Sequence, residues 1–311
     1  MLHEVKFLSY NEVQTVHGWI YVPAAKIRGV VQLVHGFGEH SRRYFHMICK
    51  LMDAGFVVAA DDHVGHGKTA LENDTWGDWG TKGPATMMED EYTLKKLVQE
   101  KYPDVPYFMY GHSMGSIILR QFMAKYGDEL DGAIICGTVG PDAVPCDQGI
   151  AMLQPLVDEG KGAEADPALL GSLLGGLFAR IEEVKLGNEW ICHDEYVQLD
   201  HAQDPFDAFT KPTSNEALLQ FVQMIQEVNV GTDWAAKVPK DLPIYNIAGD
   251  EDPCGSYGEG VVKVSQWLEE TGHQVETKLY EGYRHEIHNY ADLKDEMEAG
   301  MVAFLNGVLE K

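Results

Sequence analysis

Residues 110–116 read YGHSMGS, with Gly111 two positions before Ser113 and Gly115 two after it. A serine hydroxyl is a poor nucleophile near neutral pH. It becomes a good one when an imidazole takes its proton and a carboxylate orients that imidazole. G-x-S-x-G is the spacing of a sharp strand-to-helix turn, in which small neighbours let the strand and the helix approach closely. In a chain with 32 glycines the pentapeptide also arises by chance, so its partners and flanking elements must decide. The partners stand downstream in the order acid, then base. GDEDP (249–253) offers Asp250, Glu251 and Asp252, and YEGYRHEIH (280–288) offers His285 and His288. His285 lies soon after an apolar stretch, whereas His288 is a helical turn further on and is expected to turn away. Asp250 directly follows Gly249, where a turn aspartate satisfies local amides. Asp252, just before Pro253, projects further and is the expected acid. Acyl transfer also needs donors for an oxyanion. The amide of Met114, next after the serine, is one. The glycine-rich HGFGEHSRRY (35–44) is expected to supply the other, from Phe37 between Gly36 and Gly38.

Positioning such a set takes a rigid scaffold, and the pattern of apolar residues provides one. Residues 4–22 alternate as an antiparallel hairpin turning near YNEVQ. Short apolar runs at 29–35, 56–61, 106–110, 131–137, 242–249 and 274–280 read as strands, most of them buried. Helical segments alternate with them. One runs from about Arg43 to Asp53 and is ended by Gly55; another, MMEDEYTLKKLVQEKYP, is stopped by Pro103. SIILRQFMAKYG, GVVKVSQWLEETG and DLKDEMEAGMVAFLNGVLE follow. Alternation of buried strand and helix predicts an α/β fold, a mostly parallel sheet covered on both faces. Ser113 falls where that rhythm requires it, after a strand and opening a helix. Between about Pro141 and Val238 the rhythm breaks into helical fragments. One core (1–140 and 238–311) with a helical cap inserted at 141–237 is therefore expected, without repeats or linkers.

HGFGEHSRRY, GHSMGS, GDEDP and YEGYRHE, in that order, resemble the monoacylglycerol lipase and lysophospholipase branch of the α/β-hydrolases. The resemblance covers 1–140 and 240–311, and the insertion only loosely. It implies a serine carboxyl-ester hydrolase of the α/β-hydrolase fold, acting through an acyl-enzyme on single-chain lipid esters and small esters. In the family's pattern Asp252 matches the acid of G-x-x-D, His285 the histidine of R-H-E, and Phe37 the oxyanion amide. DDHVGHGKT (61–69) departs from the family's aspartate, arginine and G-H-G, because His63 and Val64 stand there. No cofactor or metal is implied. An aminopeptidase with cap carboxylates such as Glu182 or Glu183 holding a substrate ammonium is the competing reading, and a non-catalytic ligand receptor is a third.

The remaining features bound the partners. A formal net charge of −25 repels nucleic acid and disfavours anionic lipid surfaces. The N-terminus lacks a basic head followed by an apolar stretch, so no secretory signal is read. Five cysteines (Cys49, Cys136, Cys146, Cys192 and Cys254), odd in number and without C-x-x-C, predict free thiols and a cytoplasmic setting. His63 and His66 lack a second ligand pair, and CHDE (192–195) lies in the variable insertion, so no metal site is expected. His17 and His46 read as ordinary surface or packed histidines. Cys254 stands two residues after Asp252; a bystander role is expected, with a site close enough for a bulky thiol reagent to block as the alternative. PALLGSLLGGLFARI (167–181) is apolar nearly all round. It is expected to be packed, or to face an acyl chain or, transiently, a membrane surface. Trp190, Phe206, Phe209, Phe221 and Met224 are the expected lining of an acyl tunnel.

Overall fold

The computed structural model describes residues 1–209 and 211–310. β1 (Leu2–Leu8) and β2 (Thr15–Tyr21) form the expected antiparallel hairpin, and β2 also runs antiparallel to β4 (Phe56–Asp62). The other pairings are parallel, among β3 (Gly29–Val34), β4, β5 (Tyr107–His112), β6 (Gly132–Cys136), β7 (Ile244–Gly249) and β8 (Val275–Tyr280). The strand order is β1-β2-β4-β3-β5-β6-β7-β8. β3 to β7 are buried at every position. That is what their continuous apolar runs dictate, since a strand covered on both faces has no side for water. Only Val5 and Phe7 of β1 are even partly buried, as an alternating edge strand requires.

From β3 the chain winds to β4 on one side and then returns to β5 on the other. The winding direction therefore switches between β3 and β5. The register sets Val34 beside Gly111 and His112 beside Cys136, so the loops leaving β3, β5 and β6 emerge at one edge. The crevice at such a switch point is where open α/β sheets hold their ligands.

Around the sheet lie α1 (Phe45–Asp53), α2 (Gly67–Asn73), α3 (Thr86–Lys101) and α4 (Met114–Tyr126). α1 begins two residues later than its periodicity predicts. Ser41–Tyr44 winds first into a tighter 3₁₀ turn, which aims Arg43 inward instead of along a helix face. α2 was not legible in the sequence, because its seven residues are too few to show a period. Between β6 and β7 come α5 (Cys146–Asp158), α6 (Pro167–Leu174), α7 (Glu195–Gln203) and α8 (Asn215–Asn229), and among the described residues no strand. Asp166, Asp194 and Ser214 start α6, α7 and α8 by accepting the amides of Ala168, Tyr196 and Ala217. α8 is buried on most sides and packs on both α4 and α5. Of the apolar stretch 167–181, Leu173, Leu174 and Leu177 are buried, while Gly171, Gly175 and Gly176 are exposed. α9 (Glu259–Glu270) and α10 (Lys294–Leu309) complete the fold. Among the described residues no helix is long and apolar enough to cross a membrane.

Candidate active site

Ser113 is held at φ 56° and ψ −121°, a strained backbone for a residue with a side chain. Its N–H donates to Cys136 O (3.1 Å), so the end of β6 fixes the turn. The two glycines are required by close approach. A Cβ on Gly111 would lie 2.2 Å from Gly115 O, and one on Gly115 would lie 2.1 Å from Val34 O. G-x-S-x-G therefore lets α4 start directly on top of β3 and β5.

His285 Nδ1 lies 2.8 Å from Asp252 Oδ2, with the two side chains 2% and 0% exposed. The other Asp252 oxygen accepts the Cys254 amide at 2.8 Å. Of the three acids in GDEDP, Asp250 does accept a local amide, that of Gly282 (2.7 Å), and Glu251 turns outward to His193 (2.8 Å). His288 stacks on Tyr44 at 4.6 Å, and burial lowers it to about 3. Burial opposes charge on His285 as well, but the Asp252 carboxylate beside it carries its pKa well above the ordinary histidine value. With Nδ1–H directed at Asp252, the neutral ring keeps its lone pair on Nε2. Nε2 is buried and has no hydrogen-bond partner among the described residues, so the contact to the Ser113 hydroxyl is not closed. Both residues border the end of β6, since a Cβ on Gly137 would meet His285 Cε1 at 3.1 Å. Catalytic hydrogen bonds of this kind commonly tighten only around substrate.

The loop after β3 faces this pair. His35 Nε2 accepts the His63 amide (3.0 Å), so its proton sits on Nδ1, which donates to Gly36 O (2.8 Å). Burial, first, and the neighbouring His63 keep the His35 ring neutral by pushing its pKa well down. A trans peptide points its C=O and N–H in opposite directions. Holding Gly36 C=O against His35 therefore turns the Phe37 N–H the other way. The Met114 amide opens α4, where N–H groups have no acceptor within the helix.

Glu39 braces the same loop. Its Oε1 accepts the Gly36 amide (2.7 Å) and the Tyr44 hydroxyl (2.6 Å), and its Oε2 pairs with Arg43 at 3.2 Å. Arg43 also holds Glu286, next to His285, through 2.5 and 2.9 Å contacts. Despite burial, His112 and Arg43 hold Glu39 well below the usual carboxylate range, and Arg43 brings Glu286 down to about 2. Asp207 of the insertion stands 3.8 Å from Arg43, with no hydrogen bond among the described residues, and there burial wins, raising it to about 9. Sequence reasoning gave no role to His35, Glu39, Arg43 or Glu286. The only signals were the i, i+4 spacing of Glu39 and Arg43 and the place of Glu286 directly after the histidine.

The insertion closes over these loops. The Ala208 amide donates to Gly38 O (2.8 Å), and Phe209 packs on Phe37 at 5.9 Å between ring centres. Phe221 also meets Phe37 (5.1 Å), and Trp190 covers His285 (5.0 Å). Met224 is buried one turn along α8 from Phe221. Phe206 instead packs on Arg42 and His40. Glu182 and Glu183 are exposed. The five cysteines are free, with Cys254 buried beside Asp252 and His285.

The family profile described as serine aminopeptidase, S33 (Hydrolase_4) matches residues 25–292. A highly thermostable carboxyl esterase from Bacillus coagulans, solved in complex with glycerol, superposes with a TM-score of 0.96. It is 55% identical, with 99% of each chain covered. A lipase solved in an open form is 35% identical over the full length of both chains, with a TM-score of 0.91. A monoacylglycerol lipase of Mycolicibacterium smegmatis is 25% identical over 97% of this chain and 98% of its own. The sheet order, the turn at Ser113 and these similarities agree, and the chain belongs to the serine aminopeptidase S33 family of α/β-hydrolases as a serine hydrolase of the carboxylesterase and lipase class.

Proposed function

We propose that Ser113, His285 and Asp252 are the catalytic residues of this esterase and that its substrates are single-chain esters of the monoacylglycerol or lysophospholipid kind. Ser113 Oγ attacks the ester carbonyl as His285 Nε2 takes its proton. The imidazolium so formed is stabilised by Asp252 and then protonates the leaving alcohol. Water repeats the sequence on the acyl-enzyme, and the Phe37 and Met114 amides hold the oxyanion in both steps. The observation that carries the reading is the buried His285–Asp252 pair, whose free Nε2 borders the same strand end as Ser113.

Residues 141–237 act as the cap in this reading, over the core formed by 1–140 and 238–311. Phe209, Phe221 and Trp190, gathered at Phe37 and His285, supply an apolar wall for an acyl chain. Beyond Phe209 a cavity of about 330 Å³, lined in part by Leu170, Leu174 and Phe178, extends that wall. The similarity to a monoacylglycerol lipase supports the same substrate class.

The test is fluorophosphonate labelling of the protein and of Ser113→Ala, together with turnover of a chain-length series of chromogenic esters. Monoacylglycerols, lysophospholipids and aminoacyl amides are run beside them. Labelling at Ser113 and preferred turnover of monoacyl lipids are expected. Unlabelled Ser113 sinks the catalytic assignment, and faster cleavage of aminoacyl amides sinks the substrate class.

A further inference from the structure

Behind the oxyanion loop lies a second buried cluster that the hydrolytic reaction does not use. Asp61 is near the end of β4, His63 follows that strand, and Glu91 is on α3. Their relative exposures are 0%, 1% and 0%. Among the described residues four of their polar atoms have no hydrogen-bond partner: both oxygens of Asp61, Oε1 of Glu91 and Nδ1 of His63. One atom from each residue converges on the others. His63 Nδ1 is 3.5 Å from Glu91 Oε1 and 3.7 Å from Asp61 Oδ1, and one ligating atom from each residue lies within 4.8 Å of the others.

The proton on His63 can be placed. Its Nε2 faces His35 O at 3.3 Å, and a carbonyl can only accept. Nε2 therefore carries the hydrogen, and Nδ1 presents a lone pair to carboxylate oxygens that also carry lone pairs. Among the described residues no lysine or arginine pairs with Asp61 or Glu91; their only basic neighbour is His63. Asp90 adds a third carboxyl close by. A proton shared by Asp61 and Glu91 would satisfy one contact. It would leave the His63 lone pair unanswered, whereas a single cation answers one atom of each of the three residues together.

We propose that Asp61, His63 and Glu91 form a buried binding site for a divalent cation of the zinc type. The imidazole nitrogen and one oxygen from each carboxylate make a three-donor set. In a tetrahedral zinc site with metal–ligand distances of about 2.0–2.1 Å, donors from different residues stand roughly 3.3 Å apart, close to the 3.5 and 3.7 Å from His63 Nδ1 to Glu91 and Asp61. The role is structural, because all three residues are enclosed and away from solvent. The ion ties the end of β4 to α3 and fixes the His63 ring, which stacks on His35 at 3.9 Å. This revises the sequence expectation of no metal. His66, the neighbour considered with His63, is not part of the set, since its Nδ1 lies 2.9 Å from Val64 O.

The experiment is elemental analysis of protein produced in zinc-supplemented medium, with melting temperatures measured before and after unfolding, chelation and refolding. About one zinc per chain is expected, with a lower melting temperature after stripping that refolding with Zn²⁺ restores and Mg²⁺ does not. The Asp61→Asn/Glu91→Gln double variant keeps side-chain volume and removes charge. It is expected to fold, by circular dichroism, and to hold no zinc. Metal-free wild type whose melting temperature ignores Zn²⁺ through refolding overturns the proposal in favour of a shared proton. Zinc retained by the double variant overturns it equally, by placing the ion elsewhere. Should that variant not fold, Glu91→Gln alone serves for the metal count.

Discussion

Arg43 and Glu286, 243 positions apart in the chain, form a two-pronged ion pair of 2.5 and 2.9 Å in which both side chains are about 5% exposed or less. The pair joins the loop that carries Phe37 to the loop that carries His285. Through Glu39 it reaches the Gly36 amide, so the proposed oxyanion donor and the proposed base share one buried anchor.

Replacing Arg43 with Met leaves Glu39 and Glu286 buried without their cation. Breaking such a pair costs about 3–5 kcal/mol, which denaturant unfolding at neutral pH will register. Glu286 is lowered from 4.5 to about 2, so its contribution is present above 4.5 and is lost as pH falls towards 2. Wild type should therefore lose stability through that window, and Arg43→Met should lose less of it. Equal acid sensitivity in the two proteins would show that Arg43 does not set the Glu286 titration.

Activity should fall in acid, because protonated His285 cannot accept the serine proton. With its pKa raised well above 6.5, the acid limb of kcat/KM is expected to have its midpoint above 6.5. A flat profile down to pH 4 contradicts the assignment. The stability effect has the opposite sense: the raised pKa stabilises the fold fully below 6.5, and that contribution disappears as pH rises through the folded value.

Asp252→Asn removes the charge that raises His285. The acid limb should move to lower pH, and kcat should drop by about 10⁴-fold as the imidazole loses its tautomer. A variant with unchanged kcat would mean that Asp250 or Glu251 acts instead.

Gly38 has φ +73°, and a Cβ there would stand 2.6 Å from Phe209 Cδ2 and 3.0 Å from its Cα. Gly38→Ala should push residues 208–209 off the loop and misplace the Phe37 amide. A displacement of about 1 Å costs up to about 10²-fold in rate. Steady-state kinetics should place the loss mainly in kcat, as expected for a donor that acts in the transition state. A change confined to KM would assign this contact to binding.

Arg120 is buried, has no carboxylate partner among the described residues, and is lowered to about 9 by burial. It donates to Val139 O (2.8 Å), Val228 O (3.3 Å) and Asn229 Oδ1 (2.9 Å), fastening the end of α8 to the core. Arg120→Met takes this donor from Val228 O and Asn229 Oδ1, at about 1–3 kcal/mol each, while Val139 O keeps the Asn229 Nδ2 donor at 3.2 Å. Limited proteolysis should then cut first within 141–237, and a first cut elsewhere argues against this fastening.

The elements were legible in the sequence where pattern is strong and local. Continuous apolar runs can lie only between two layers, and the glycines at 111 and 115 can be spared only where backbones touch. The positions of Ser113, Asp252 and His285, the proposed triad, each after a strand, were legible for the same reason. The preference for Asp252 over Asp250 rested on a local turn argument, and that hydrogen bond to Gly282 is present.

What the linear order could not reveal is which polar side chains meet across it. Glu39, Arg43, Glu286 and Asp207 look like ordinary solvated charges when read singly, and Phe206 looked like a pocket residue until it was found on Arg42. Charge pairing in a buried site depends on distances between loops from distant strands, and the sheet register sets those distances. The residues fix local conformation and the order of the chemistry by themselves. Only the folded sheet, by aligning the ends of β3, β5 and β6, decides which charges are withdrawn from water together and must therefore satisfy one another.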